Sequence, residues 1–108
     1  MAPILGNDKV IRVGGATASL ADTALSVPQL LSGGNLDYVV FDYLAEGSMG
    51  IFGRLQAANP DLGYGFYFLS LHVGPYLEEI AAKGVKVVAN AGGVNPSALV
   101  TALEQMIK

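Results

Sequence analysis

Three short runs rich in β-branched residues recur along the chain: Lys9-Val10-Ile11-Arg12-Val13, Leu36-Asp37-Tyr38-Val39-Val40-Phe41 and Val85-Lys86-Val87-Val88-Ala89. Such runs read as strands, and Gly14-Gly15 reads as the stop of the first. Between the first two, Ser19 to Leu31 carries Leu20, Ala24, Val27, Leu30 and Leu31 at roughly helical spacing. It ends in Ser32-Gly33-Gly34-Asn35, a helix stop and turn, and Pro28 is expected to start or kink part of it. Between the second and third strands, Asn59-Pro60-Asp61-Leu62-Gly63-Tyr64-Gly65 splits the chain into a helix over Gly47–Ala58 and a second helical piece after Gly65. In that second piece Pro75 suits a first turn, Glu78 and Glu79 its positive end, and Lys83-Gly84 its finish. Asn95-Pro96-Ser97 caps a last helix with an apolar face of Ala98, Leu99, Ala102, Leu103 and Met106.

The resulting order is β-α-β-α-α-β-α. Strands alternating with helices predict right-handed crossovers and a parallel sheet, here a three-layer, Rossmann-like α/β fold in a single domain, residues 1–108. Three strands fall short of the ~5–6 of a typical sheet, so at least one edge is expected to stay unpaired and the fold to be incomplete without a partner. Apolar residues make up 52% of the chain and charged residues 14%, against roughly 45–50% and about 25% in ordinary domains. A chain of this length buries only ~65% of the surface it exposes unfolded. The apolar surplus is therefore read as facing a partner chain or a second copy.

The charge sum of −3 and the absence of any Lys/Arg run leave no electrostatic footprint for nucleic acid or an anionic membrane. Without cysteine there is no thiolate chemistry, and the single His72 cannot build a histidine-rich metal site. Met1 to Asp8 lacks the basic and apolar regions of a leader, and no segment reaches the ~18 apolar residues of a membrane span. A cytoplasmic protein is the default expectation.

In open α/β sheets ligands bind outside the carboxyl ends of the strands, and parallel strands bring those ends to one rim. Gly14-Gly15, followed by Thr17 and Ser19, permits close backbone approach, with unpaired N–H groups if a helix starts there. The alternative is a tight turn with a hydroxyl cap. Neither a GxGxxG fingerprint nor a P-loop is present, which weakens a free-standing nucleotide binder. Asn90-Ala91-Gly92-Gly93-Val94-Asn95-Pro96 leads into a proline-started helix whose positive end suits an anion or a carbonyl oxygen. Alternatively Asn95 caps that helix and Asn90 ties a turn. Asp42 follows an apolar run and so sits at the mouth of the sheet, open to acid–base work, to binding a ligand hydroxyl or to holding a loop. Glu46 and Asp22 are candidate second carboxylates. His72, between Leu71 and Val73, reads first as a satisfied core or interface histidine. Tyr64, Phe66, Tyr67 and Phe68 read as a subunit contact before an acyl pocket.

Ile11-Arg12-Val13-Gly14-Gly15-Ala16, the segment Leu36 to Glu46, and Gly84 to Pro96, taken in order and at this spacing, resemble the acyclic terpene utilisation protein AtuA family. The likeness runs through nearly the whole chain. Family proteins are several times longer, so the resemblance implies an N-terminal portion, either a small subunit or a fragment. Family members are associated with the breakdown of branched, terpene-derived acids as CoA thioesters, so the resemblance implies an acyl-CoA or related acyl substrate; the cofactor stays open, CoA entering only as part of such a substrate. Asp42, Glu46, Asn90, Gly92, Gly93 and Asn95 match the family pattern. Leu20-Ala21-Asp22 keeps the acid but not the aromatic and glycine that the pattern has there, and an acid near Tyr67 is replaced. Their place at the strand ends makes Asp42 and Glu46 the catalytic candidates, and Gly14, Gly15, Thr17, Asp22, Asn90, Gly92, Gly93 and Asn95 the substrate-binding ones; the resemblance carries over no reaction. A non-catalytic subunit completing a larger partner's fold is the alternative reading.

Overall fold

Pairing register, more than β-propensity, decides where the first strand lies. The computed structural model describes residues 10–108, so Lys9 and the leader-free reading of Met1 to Asp8 fall outside the described residues. Strand β1 is Val13–Thr17, four residues later than expected. The expected stop, Gly14-Gly15, lies inside it, because Gly14 faces Leu30 and Leu36 where a side chain would not fit. A Cβ at Gly14 would lie 2.7 Å from Leu36 Cδ1 and 3.1 Å from Leu30 Cδ2. Glycine here trades strand propensity for close helix–sheet approach.

Strands β2 (Tyr38–Phe41) and β3 (Lys86–Ala89) follow at the expected places. All three are parallel, in the order β1-β2-β3. The β1–β2 register shifts between Gly15 and Thr17, a bulge that turns the last residue of β1 toward Asp42.

Helix α1 is Ser26–Gly33 rather than Ser19–Leu31. Its start is delayed because the Asp22 carboxylate takes the Ala18 and Thr23 N–H groups at 2.8 Å each, folding that stretch into a turn. Pro28 then sits in the first turn, where its missing N–H costs nothing. Helix α2 is Glu46–Ala58. After Gly65 comes a π-helical turn, Phe68–His72, then a 3₁₀ turn, Gly74–Tyr76, and then α3, Leu77–Lys83, with Glu78 and Glu79 in its first turn and Lys83 in its last. Helix α4 is Pro96–Ile107.

The core lies on one face of the sheet. Ala16, Val39 and Phe41 pack there with Val27 and Leu31 of α1, Phe68 and Leu69 of the π turn and Ile80 of α3, while Leu99, Ala102 and Leu103 of α4 close its margin. Sequential strand order with right-handed crossovers places both connections on the same side. The opposite face carries Val13, Tyr38 and Lys86 in one row and Gly15, Val40 and Val88 in the next. It is not covered: Val13 is 60% and Val88 52% exposed, and a Cβ at Gly15 would meet nothing within 4 Å. The expected third layer is thus not found among the described residues. None of the described helices is long and apolar enough to cross a membrane.

Candidate functional site

The carboxyl ends of the three strands meet and are tied together by side chains. At the end of β1, the Thr17 hydroxyl accepts from the Asp42 N–H at 2.9 Å and lies 3.1 Å from the Asp42 carbonyl. Just past β3, the Asn90 amide oxygen accepts from the Tyr43 N–H at 2.8 Å, and its nitrogen donates to Asp42 Oδ1 at 2.8 Å. The Leu44 N–H donates to the same Oδ1 at 3.1 Å. Asn90 therefore bridges strands rather than merely tying its own turn, and Asp42 does hold the loop that follows it.

Those two donors, the Asn90 amide first and then the Leu44 N–H, hold the Asp42 carboxyl below its ordinary value. Oδ2 is not consumed in this way: among the described residues it has no hydrogen-bond partner, and Asp42 is exposed. Glu46 opens α2, where its charge suits the positive helix end, and it makes no hydrogen bond to Asp42.

The other expected binding residues are placed differently. Gly14 is buried beneath α1 and Gly15 looks out from the open face, so neither forms a loop at the strand end. The Asp22 carboxyl is held below its ordinary value by the Ala18 and then the Thr23 N–H, and both its oxygens are occupied. Asn95 caps α4 by accepting from the Ala98 N–H and donates to the Pro60 and Leu62 carbonyls at 2.9 Å each. Gly93 takes a positive φ of 58°, and a Cβ there would lie 2.6 Å from the Gly63 carbonyl oxygen and 2.8 Å from Phe52. Gly92 abuts Pro96. This turn is filled by its own neighbours, and the loop Asn59–Gly65 is what it holds.

Directly beneath the rim lies a pair that sequence reasoning did not assemble. Tyr43 and His72 are both fully buried, with the tyrosine oxygen 2.7 Å from His72 Nδ1. His72 Nε2 lies 3.0 Å from the Asp22 carbonyl oxygen. That carbonyl only accepts, so the ring proton sits on Nε2, and Nδ1 accepts from the Tyr43 hydroxyl. Burial pushes the Tyr43 hydroxyl well above its ordinary pKa; the neighbouring Thr17 hydroxyl opposes this and the Asp22 charge adds to it. Phe41 stacks on Tyr43, and Phe68 meets both edge-on. The aromatic run is thus divided: Phe68 is core, Tyr64 packs against the core, and Phe66 is exposed. A lone histidine in an apolar run was the sole linear signal for this pair, and nothing in the sequence pointed to Tyr43.

A concavity lined by Leu31, Ser32, Asn35, Lys83 and Val85 lies at the amino ends of the strands, away from this rim. Among the described residues no group of three or more His, Cys, Asp or Glu is placed to hold a metal ion.

Taken together, these features define a small open-sheet α/β unit with a polar shelf at its strand ends. Residues 11–108 match the family model described as acyclic terpene utilisation family protein AtuA, and the chain belongs to that family. No curated protein and no solved structure matches it.

Proposed function

We propose that the chain is the small α/β part of an AtuA-family acyl-processing enzyme and binds a branched acyl substrate, presented as a CoA thioester, at the carboxyl rim of its sheet. The observation that carries this reading is Asp42, with one oxygen fixed by Asn90 and Leu44 and the other open to solvent. A carboxylate anchored in this way accepts an N–H or O–H of a ligand in a fixed direction. Held ionised, it is a weak base, so its role is to orient the ligand, and proton transfer falls to Glu46. Thr17 and Asn90 hold the frame. Titration calorimetry with a branched acyl-CoA tests this: the chain binds, and Asp42→Asn weakens binding about tenfold, the loss of one charged hydrogen bond. No binding by the folded parent chain overturns it.

A second reading, a non-catalytic subunit that completes a larger partner's fold, draws on the uncovered sheet face, since parallel sheets ordinarily have both faces covered. Sedimentation of the purified chain checks it. A monomer that binds no apolar dye overturns that reading.

A further inference from the structure

We propose that His72 is a positioning residue for the first rim loop, Ala18–Leu25, locking it to the end of β2 through the Tyr43 hydroxyl on one side and the Asp22 carbonyl on the other. The inference rests on the rim being the binding site only for its consequence to ligand binding; the locking itself stands on the geometry. Three observations converge. His72 is completely buried and both its ring nitrogens are engaged, by partners 29 and 50 residues away in sequence. The partner in the loop is the backbone of Asp22, the residue whose carboxylate gathers the Ala18 and Thr23 N–H groups, so a hold on Asp22 is a hold on the whole turn. The partner in the sheet is Tyr43, whose own N–H is taken by Asn90 and whose chain neighbour is Asp42.

The π turn Phe68–His72 is the means of delivery. It is a wide turn of a rare kind that is frequent at functional sites, and here it ends on His72. The groups that face the imidazole are the Tyr43 hydroxyl, the Asp22 charge and the Tyr67 ring. Its two hydrogen bonds therefore decide its ring tautomer, and the tautomer decides whether Nε2 can donate to the loop.

Hydrogen exchange and nitrogen-15 spectra of the full chain test this. In the parent, the His72 ring shows the Nε2–H tautomer. His72→Phe, which keeps the ring and loses both hydrogen bonds, raises exchange at Ala18 and Thr23 about tenfold while Val39 and Phe41 exchange as before. His72→Gln, which restores one acceptor and one donor, returns exchange toward the parent rate. Should His72→Phe fail to fold, Tyr43→Phe removes the hydroxyl alone and is expected to raise exchange at the same two amides about threefold. The opposite tautomer, or unchanged exchange at Ala18 and Thr23 in a folded variant, overturns the proposal. A parent chain that binds no acyl-CoA overturns the rim reading and leaves the exchange result to decide this one.

Discussion

The two faces of the sheet are built from the same strands and treated in opposite ways. On one, Val39 and Phe41 are sealed under α1, the π turn and α3; on the other, Val13 and Val88 keep more than half of their surface in water. Neighbouring residues of one strand show the contrast most sharply, since Gly14 is pressed against Leu30 and Leu36 while Gly15 faces nothing. What stabilises this chain alone is therefore confined to one side, and the composition's apolar surplus is stored on the other.

That contrast can be broken in graded steps. Phe41→Ala, at the centre of the covered face, is expected to cost about 3–5 kcal/mol; urea unfolding measures it, and a cost near zero would mean the core lies elsewhere. Gly14→Ala is expected to cost about 1–3 kcal/mol through overpacking, whereas Gly15→Ala, with open space and no positive φ, is neutral or stabilises by up to about 1 kcal/mol. Equal effects at the two glycines would abolish the distinction between the faces. At the rim, the folded-state pKa of Asp42 lies below its ordinary 3.8. Its stabilising contribution is therefore present above that value and is lost as pH falls through the folded pKa. Asp42→Asn should accordingly lower stability at neutral pH and leave it little changed in acid below the folded pKa, flattening the acid limb of a stability–pH curve below about pH 4. Smallest of all, Val88→Thr on the open face should shift stability by no more than about 0.5 kcal/mol, while reducing the binding of an apolar dye.

The sequence made the order of elements, the parallel sheet and the meeting of strand ends legible, because each depends on local runs and stops. Thr17, Asp42 and Asn90 were visible for the same reason, each standing at or just past a strand. What depended on distant neighbours was not visible. Val10 to Val13 looks more strand-like than Gly14-Gly15-Ala16, yet pairing with Val39 and Val40 and the space needed by Leu30 select the glycines. Asp22 read as a rim carboxylate, whereas its oxygens are drawn inward by two backbone amides. The glycines before α4 suggested an anion cradle, and the chain's own Gly63 and Phe52 occupy that side of Gly93. Helices on a single face follow from strand order, which no run of residues specifies.

The π turn also fixes how this stretch tolerates insertions and deletions. Ordinary helix turns advance about 100° per residue, so adding or removing one residue ahead of the π turn, at Phe66 or Tyr67, with the pitch unchanged would swing the imidazole roughly that far around the helix axis, away from Tyr43. Side-chain exchanges in Phe68–His72 that preserve volume leave the backbone path alone, whereas any change in residue count redirects it. The spacing between Gly65 and Gly74 is in that sense a ruler, and its length sets where the His72 ring arrives.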